Sequence, residues 1–249
     1  MPLSMSLSYP DPLPAVNLLK DTLHSSGSSG FVIGISGGVD SALAAALCCK
    51  AAGPSAVAGL FLPSSVTPTQ DASDVKLLGD TLGIQILTVP ISPVLDQYRT
   101  LPGFTETPYL VGNLMARTRM TILYYYANKL SSLVCGTSNY TEYLLGYCTK
   151  FGDNAADVQP IIHLLKTDVW RLAELTGVPK QIISRTPTAG LYQDQTDEKE
   201  LGLSYARIDA AILALIQQDS RAMTADERIV LEKIRNSEHK RNPAPQVKR

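Results

Sequence analysis

Residues 31–41 read FVIGISGGVDS, a short apolar run followed by a loop with two adjacent glycines. The run from Phe31 to Ile35 predicts a strand that is buried on both faces, as strands of parallel sheets are. Ser41 to Ala52 is rich in Ala and Leu and predicts a helix directly after the loop. Because a glycine loop at a helix N-terminus directs backbone N–H groups toward one point, the segment predicts an anion-binding loop.

Segments with strand and helix patterns alternate on both sides of this loop. Val16 to Leu23 predicts a helix ahead of the first strand. Further strands are predicted at 56–62, 84–89 and 132–135, separated by helices at 70–82 and 113–129. This order indicates an α/β fold, a doubly wound parallel sheet with helices on both faces.

The second half of the chain is less periodic. Residues 137–160 are rich in Gly, Asn, Asp and Thr and predict loops at the carboxyl edge of the sheet. Lys166 to Thr176 predicts a helix that stops at Gly177, and residues 184–200 predict a long mobile lid. C-terminal helices at about 204–217 and 224–237 precede a basic tail. We interpret 1–249 as one domain with a flexible lead-in at 1–14.

Composition excludes several classes of function. The chain has 249 residues and a formal net charge of -1, so no global basic field is available for nucleic acid or an anionic membrane. No apolar stretch is long enough for a membrane span, and the N-terminus lacks the pattern of a signal peptide. Four cysteines without a C-x-x-C pair indicate reduced thiols, which favours a cytoplasmic location.

The loop itself suggests nucleotide chemistry. Ser36 and Ser41 add hydroxyl donors, and the dipole of the following helix favours an anion. The loop is not a Walker A sequence, because no Gly-Lys-Ser/Thr follows. Asp40 would instead hold Mg²⁺ that bridges phosphate oxygens. The alternative is an ordinary glycine turn in which Asp40 or Ser41 caps the helix.

The loop resembles the signature of the N-type ATP pyrophosphatases, which cleave ATP between its α and β phosphates. This resemblance implies an adenine nucleotide alpha hydrolase-like fold, a substrate adenylate, and pyrophosphate held by the loop. The residues that it places against ATP are Gly34, Ile35, Ser36, Gly37, Gly38, Val39, Asp40 and Ser41. GMP synthetases carry a similar loop, so the loop alone does not select one member.

Further segments resemble the ammonia-dependent NAD synthetases, in that family's order. They are NLMARTRM at 113–120, GTSNYTE at 136–142, GYCTKFGD at 146–153 continuing to Ile161, PTAGL at 187–191 continuing to Glu198, and EHKR at 238–241. Together they span about residues 30 to 241, nearly the whole chain. One departure is Gly190, which stands where many members have aspartate.

The resemblance implies roles for individual residues. ATP would also contact Thr137, Lys166 and Thr188, and Mg²⁺ would be bound by Asp40 and Glu142. Deamido-NAD would contact Arg117, Lys150, Asp157, His239 and Lys240. The catalytic set would be Asp40, Lys166 and Asp157.

Several of these residues have plainer interpretations. Glu142 is also explained as an acid that the helix dipole favours, and the pair His239 and Lys240 as a solvated basic tail. Arg119 lies on a different helix face from Arg117 and is interpreted as a structural ion-pair partner. Lys166 at a helix start is unusual, because cations prefer the other end.

The implied reaction is amidation of deamido-NAD by ammonia, with ATP converted to AMP and pyrophosphate through an NAD-adenylate. The chain has no room for an amide-hydrolysing domain, so free ammonia is the expected nitrogen donor, and a separate amidotransferase subunit remains an alternative. The family also implies a homodimer. The sequence does not choose between Asp153 and Asp157 as the general base.

Two other functions compete with this one. The same loop would serve an enzyme that acts on a xanthosine nucleotide or a tRNA base, although the near-neutral charge disfavours nucleic acid. A regulatory module that binds nucleotide without turnover would not need the combination of Asp40, Glu142 and Lys166.

Overall fold

The computed structural model describes residues 10–190, 192, 195–217 and 221–247. The predicted lead-in therefore lies mostly outside the described residues. Within its described part, the first helix, α1, begins at Leu13 and runs to Ser26, so it is longer at both ends than the predicted 16–23. Pro14 is compatible with this start, because the first turn of a helix needs no N–H donor there.

A four-stranded parallel sheet lies at the centre of the fold. Its strands are β1 (Phe31–Gly34), β2 (Val57–Phe61), β3 (Gln85–Thr88) and β4 (Leu133–Cys135). The strand order is β3-β2-β1-β4, with Phe31 in register with Val57 on one side and with Leu133 on the other. The chain order therefore reverses between β1 and β4, and their carboxyl ends form the crevice in which α/β folds bind ligands.

Helices cover the sheet on both sides. They are α2 (Val39–Ala52), α3 (Thr69–Leu82), α4 (Ser92–Tyr98), α5 (Pro108–Lys129), α6 (Tyr140–Leu145), α7 (Lys166–Thr176), α8 (Lys180–Ile183), α9 (Asp197–Leu201), α10 (Tyr205–Gln217), α11 (Ala225–Asn236) and α12 (Glu238–Arg241). In these residues no helix combines the length and apolar character that a membrane span requires.

Side chains of β1 alternate between two apolar layers. Phe31 and Ile33 pack with α1, α2, α3 and α7, whereas Val32 packs with α4 and α5 on the opposite face. A third apolar cluster joins α6, α7, α10 and α11 around Tyr205, with the Trp170 ring edge-on to it at a centroid distance of 6.0 Å. The predicted doubly wound α/β class and the C-terminal helices are thus confirmed.

Several segments differ from their sequence-based description. Helix α5 begins at Pro108 and not at 113, because the Thr107 side chain accepts a hydrogen bond from Leu110 N and caps it. Residues 137–160 were predicted as loops but include α6, which Asn139 caps at its start. The predicted lid at 184–200 ends in α9, and the basic tail forms the short helix α12. Residues 191, 193 and 194 of that lid lie outside the described residues.

Candidate active site

The loop after β1 is closed by its own serine hydroxyls. Ser41 Oγ donates to the Gly38 carbonyl at 3.0 Å and lies 3.2 Å from Ser36 N as its acceptor. The first intrahelical bond of α2 runs from Ala42 N to Gly38 O. The N–H groups of residues 39–41 precede that bond, and a helix start leaves such groups available to an anion.

Gly37 is required by both backbone and space. Its φ is 85°, in the left-handed region that favours glycine. A Cβ at Gly37 would lie 3.1 Å from Arg185 Nη1 and 3.4 Å from the Asp71 backbone. The loop at 36–41, the predicted phosphate loop, is therefore packed directly against the start of the predicted lid and against α3.

A cavity of about 790 Å³ opens at the carboxyl edge of the sheet, beside this loop. Most residues predicted for ATP and metal binding line it together. They are Gly34, Ile35, Ser36, Gly38, Val39, Asp40, Ser41, Thr137, Glu142, Lys166 and Thr188. The structure thus gathers residues that lie up to about 150 positions apart into a single pocket of ligand size.

Three charged side chains, Asp40, Glu142 and Lys166, form what we call the acid–lysine cluster. Lys166 Nζ lies 2.5 Å from Asp40 Oδ2 and 3.2 Å from Glu142 Oε1. The lysine side chain is only 2% exposed, whereas each carboxylate keeps almost a fifth of its surface exposed. The buried ammonium is therefore neutralised by two carboxylates that still face the cavity.

One asparagine fixes the two carboxylates relative to each other. Asn139 caps α6 by accepting from Glu142 N at 2.9 Å, and its Nδ2 donates to Asp40 Oδ1 at 2.8 Å. Asp40 lies in the first turn of α2 and Lys166 is the first residue of α7. Three helix starts therefore converge on the cluster, and their dipoles favour negative charge beside it.

Burial and charge act in opposite directions within the cluster. Burial raises the pKa of Glu142 above its ordinary value, and the attraction of Lys166 opposes this rise. Burial alone would lower the pKa of Lys166, but Asp40 and Glu142 outweigh it and hold that pKa above its ordinary value. The ammonium accordingly stays protonated at neutral pH.

A second layer of hydrogen bonds supports the cluster from below. Thr141 Oγ1 accepts from Lys166 N at 3.0 Å and donates to Asp209 Oδ1 at 2.6 Å. The other Asp209 oxygen accepts from Thr167 N at 2.9 Å. Asp209, on α10, therefore joins α6 and α7 at the two residues adjacent to Glu142 and Lys166.

A buried carboxylate, Asp197, lies next to the cluster between two phenols. Asp197 accepts from Tyr205 OH at 2.9 Å and from Tyr147 OH at 3.1 Å. Lys166 Nζ lies 5.1 Å from the centre of the Tyr205 ring. Asp197 therefore anchors the distal end of the predicted lid to the same wall as the acid–lysine cluster.

The proximal end of that lid is held by charge. Arg185 pairs with Asp71 and lies 3.3 Å from Asp74 Oδ2, while Gln181 also donates to Asp74 at 2.5 Å. Burial raises the pKa of Asp71, and Arg185 opposes that rise. Both ends of the lid segment are thus attached next to the phosphate loop and the cluster.

Four residues predicted to contact the second substrate do not line this cavity. Arg117 is exposed, lines a separate surface groove and donates to the Lys150 carbonyl at 3.2 Å. Asp157 accepts from Val134 N at 2.8 Å and from Tyr124 OH at 3.2 Å. Lys150 and His239 are likewise absent from the residues that line the cavity.

The basic C-terminal helix holds that loop through backbone carbonyls. Lys240 lines the cavity and donates to the carbonyls of Gly146 and Cys148, both at 2.8 Å. Lys150 donates in return to the carbonyls of His239 at 2.6 Å and Asn242 at 3.0 Å. The predicted tail residues therefore connect the end of the chain to the loop 146–150.

Sequence reasoning missed several residues that line the cavity, among them Arg185, Asp197 and Arg119. The interpretation of Arg119 as an ion-pair partner was wrong, since no carboxylate of the described residues lies within ion-pair distance of it. Helical phase was the signal that would have placed it: Arg119 falls between Ala116 and Leu123 on the cavity face of α5. For Arg185 the sequence offers no comparable signal.

Within the described residues, the candidate metal ligands of the cluster are a pair of acids, Asp40 and Glu142. Among the described residues no group of three or more His, Cys, Asp or Glu side chains is arranged to hold a metal ion. Asp40 and Glu142 do converge on one cation, the Lys166 ammonium. The cavity therefore combines a helix start that can bind an anion, a cation and two carboxylates. This combination suits a nucleoside triphosphate with its metal ion.

The chain matches known proteins over most of its length. A protein-family model for NAD synthase matches residues 14–244. The chain is 56% identical over 230 residues to the NH(3)-dependent NAD(+) synthetase of Methanoregula boonei, covering 92% of this chain and 93% of that one. It is 45% identical over 234 residues to the enzyme of the same name from Thermococcus kodakarensis, covering 90% and 91%.

Two solved structures share the fold closely. The NMN synthetase from Francisella tularensis superposes with a TM-score of 0.87 at 37% identity, covering 95% of this chain and 96% of that one. The NH3-dependent NAD synthetase from Campylobacter jejuni superposes with a TM-score of 0.81 at 28% identity, covering 95% and 97%.

Proposed function

The chain belongs to the NAD synthase family, and from that membership we propose that it is a C–N ligase that makes NAD from deamido-NAD and ammonia. ATP is converted to AMP and pyrophosphate in the same reaction. The observation that carries the proposal is the position of the acid–lysine cluster beside the phosphate loop, in one cavity of about 790 Å³. The cavity volume is in the range of small-molecule sites.

The ATP site extends from the loop across the cavity. Phosphate oxygens contact the free N–H groups at the start of α2 and the Lys166 ammonium, where helix dipole and charge both favour an anion. Thr137 and Thr188 also line the cavity and supply hydroxyl donors. Thr188 Oγ1 accepts from Gly190 N at 3.1 Å, which orders the start of the lid segment.

Asp40 and Glu142 fit a Mg²⁺ ion that accompanies ATP. Magnesium in phosphate sites is commonly bound through one or two carboxylates together with substrate oxygens. Both carboxylates already converge on a single cation and remain partly exposed to the cavity. When bound, the ion supplies charge neutralisation at the phosphates.

Deamido-NAD occupies the side of the cavity bounded by α5, the loop 146–153 and α12. Lys240 lines this side directly. Arg117, Lys150, Asp157 and His239 lie outside the cavity lining, and we propose that they contact the part of the dinucleotide that extends beyond the cavity. Tyr125 and Phe151 in the surface groove are 62% and 69% exposed, which supports assembly of the chain as a homodimer through this face.

Two steps complete the reaction. The nicotinate carboxylate attacks the α-phosphorus of ATP and forms a C–O–P anhydride. The bond between the α-phosphorus and the bridging oxygen breaks, and the phosphate loop holds the departing pyrophosphate. Ammonia then attacks the activated carbonyl, forms the amide and releases AMP. The protein contributes alignment and fixed charge in the first step. In the second step the lid at 184–200 excludes water, which would hydrolyse the adenylate.

Asp153 is the better placed of the two candidate general bases. Asp153 is among the residues that line the cavity, and its Oδ1 accepts from Thr149 N at 2.8 Å. Asp157 lies outside the cavity lining, and both of its oxygens accept hydrogen bonds from the protein. We therefore assign the proton released by attacking ammonia to Asp153, and to Asp157 a role in positioning β4 and the substrate.

A second candidate substrate is the corresponding mononucleotide. The Francisella tularensis structure, 37% identical to this chain, is an NMN synthetase. The chemistry at the carboxylate would be unchanged, and the residues outside the cavity lining would be left without an adenosine moiety to bind. The dinucleotide is favoured because relatives of up to 56% identity carry the name NAD synthetase.

The test is release of pyrophosphate from ATP with ammonium chloride and either deamido-NAD or the nicotinate mononucleotide. We expect formation of NAD with a kcat/KM that is higher for the dinucleotide. A rate of pyrophosphate release that does not depend on either nucleotide would contradict the proposed substrate class. Glutamine in place of ammonium should give no product, because we propose free ammonia as the donor.

The proposal also includes a cytoplasmic location and a homodimer. All four cysteines lie in the described residues as free thiols, which supports a reducing, cytoplasmic environment. Sedimentation of the purified chain should show a dimer, and Tyr125→Glu in the exposed groove should shift it toward monomer.

A further inference from the structure

Most cations that line the cavity are already engaged by the protein. The Lys166 ammonium is paired with two carboxylates, and so is the Arg185 guanidinium. The Lys240 ammonium donates to two backbone carbonyls. A substrate anion that binds these groups has to share them with protein acceptors.

Arg119 differs from these cations in its bonding. Its Nε donates to the carbonyl of Leu62, just beyond β2, at 3.0 Å. Neither Nη group has an acceptor among the described residues, although these groups carry four of the five N–H donors of a guanidinium. The side chain is half-buried and lines the cavity.

The position of Arg119 follows from the phase of α5. Asn113, Ala116, Met120 and Leu123 face the cavity from this helix, and Arg119 lies among them. Arg117 lines the separate groove together with residues 121, 124, 125 and 128 of the same helix. The two arginines of the ARTR segment therefore serve different surfaces.

The partly buried position of the charged Arg119 side chain is energetically unfavourable when no ligand is bound. Burial lowers its pKa, and Asp153 and Asp71 oppose that effect through charge without forming a hydrogen bond to it. An arginine remains protonated even so. A partly desolvated charge with unfilled donors is unfavourable unless an acceptor arrives.

We propose that Arg119 is a substrate-binding residue whose Nη groups donate to an oxyanion of a bound substrate. The anion is a phosphate of ATP or the carboxylate or phosphate of the nucleotide to be amidated. A planar guanidinium matches either group with two parallel hydrogen bonds. The identity of the two substrates rests on the proposed function, whereas the anion-binding role of Arg119 does not.

The test compares Arg119→Gln and Arg119→Lys with the unmodified chain in two titrations. One measures the dissociation constant of ATP alone, and the other that of deamido-NAD in the presence of a non-hydrolysable ATP analogue. Loss of a bidentate charged contact should raise one of the two dissociation constants by about 10- to 100-fold, and the lysine variant should show a smaller increase. Arg171→Gln, an exposed arginine on α7, should leave both unchanged.

The two titrations distinguish the source of the anion. Weaker ATP binding alone assigns Arg119 to the triphosphate, and weaker binding of the second nucleotide alone assigns it to that substrate. Unchanged constants for both ligands in either folded variant would overturn the proposal. If the unmodified chain bound ATP but formed no NAD, only the proposed function would fail.

Discussion

The Nζ atom of Lys166 lies 2.5 Å from Oδ2 of Asp40, although the two residues are 126 positions apart. Lys166 begins α7 and Asp40 lies in the first turn of α2. The pair therefore connects the phosphate loop to the C-terminal half of the chain. Because Glu142 shares the same ammonium, the charge that would meet ATP is set by three elements at once.

Asp40→Asn should abolish most catalysis while the fold persists. Asn139 can still donate to the amide oxygen, and Lys166 keeps Glu142 as its partner. We expect pyrophosphate release to fall by at least about 100-fold, as when other preorganised electrostatic groups are removed. The free energy of unfolding should fall by about 1–3 kcal/mol. Activity assays and urea denaturation measure these effects.

Asp80→Asn is the matched control for that variant. Asp80 makes an exposed ion pair with Lys76 on α3, so the same chemical change should hardly alter pyrophosphate release or the free energy of unfolding. Near-normal turnover in Asp40→Asn would contradict a role for Asp40 at the phosphates.

Gly37→Ala should impair ATP binding beyond its effect on stability. The left-handed φ of 85° costs an alanine about 1 kcal/mol, and the new Cβ would press on Arg185 Nη1. Gly177→Ala is a matched control, with φ of 84° and open space around its Cβ. Both variants should lose similar stability, but only Gly37→Ala should raise the KM for ATP. Equal KM values for the two would mean that Arg185 moves aside freely.

Asp209→Asn should weaken the support beneath the acid–lysine cluster. An amide offers one acceptor where the carboxylate offers two, so either Thr141 or Thr167 N loses its partner. We expect a loss of about 1–3 kcal/mol in the free energy of unfolding and a lower kcat. Asp226→Asn, in an exposed pair with Arg207, is the control and should change neither.

The same variant should change how stability depends on pH. Burial raises the pKa of Asp209 above its ordinary value of 3.8. The folded state therefore favours the protonated form of Asp209. The stability that comes from this preference is complete below pH 3.8 and is lost as the pH rises through the folded-state pKa. The stability difference between the unmodified chain and Asp209→Asn should narrow over that range. Urea titrations at several pH values measure it, and a difference that widens with pH would refute the assignment.

Local pattern was sufficient to predict the sheet but not the contacts of the site. The run from Phe31 to Ile35 predicts a strand because both faces are buried, and the following glycines predict the loop. Helix α6 has only six residues, too few for a periodic pattern, although the cap Asn139 and the terminal Gly146 mark its ends. The burial of Lys166 depends on partners 126 and 24 positions away, which no local pattern contains.

Lys240→Met should release the loop 146–148 and weaken binding of the second nucleotide. The ammonium holds the carbonyls of Gly146 and Cys148, each at 2.8 Å, and methionine keeps the volume without the donors. We expect faster amide hydrogen exchange at residues 146–150 and a loss of about 1–3 kcal/mol in unfolding free energy. The KM for deamido-NAD should rise more than that for ATP, because the loop bounds the dinucleotide side of the cavity. Lys20→Met, on exposed α1 surface, should alter none of these, and unchanged exchange in Lys240→Met would show that the loop is held by other contacts.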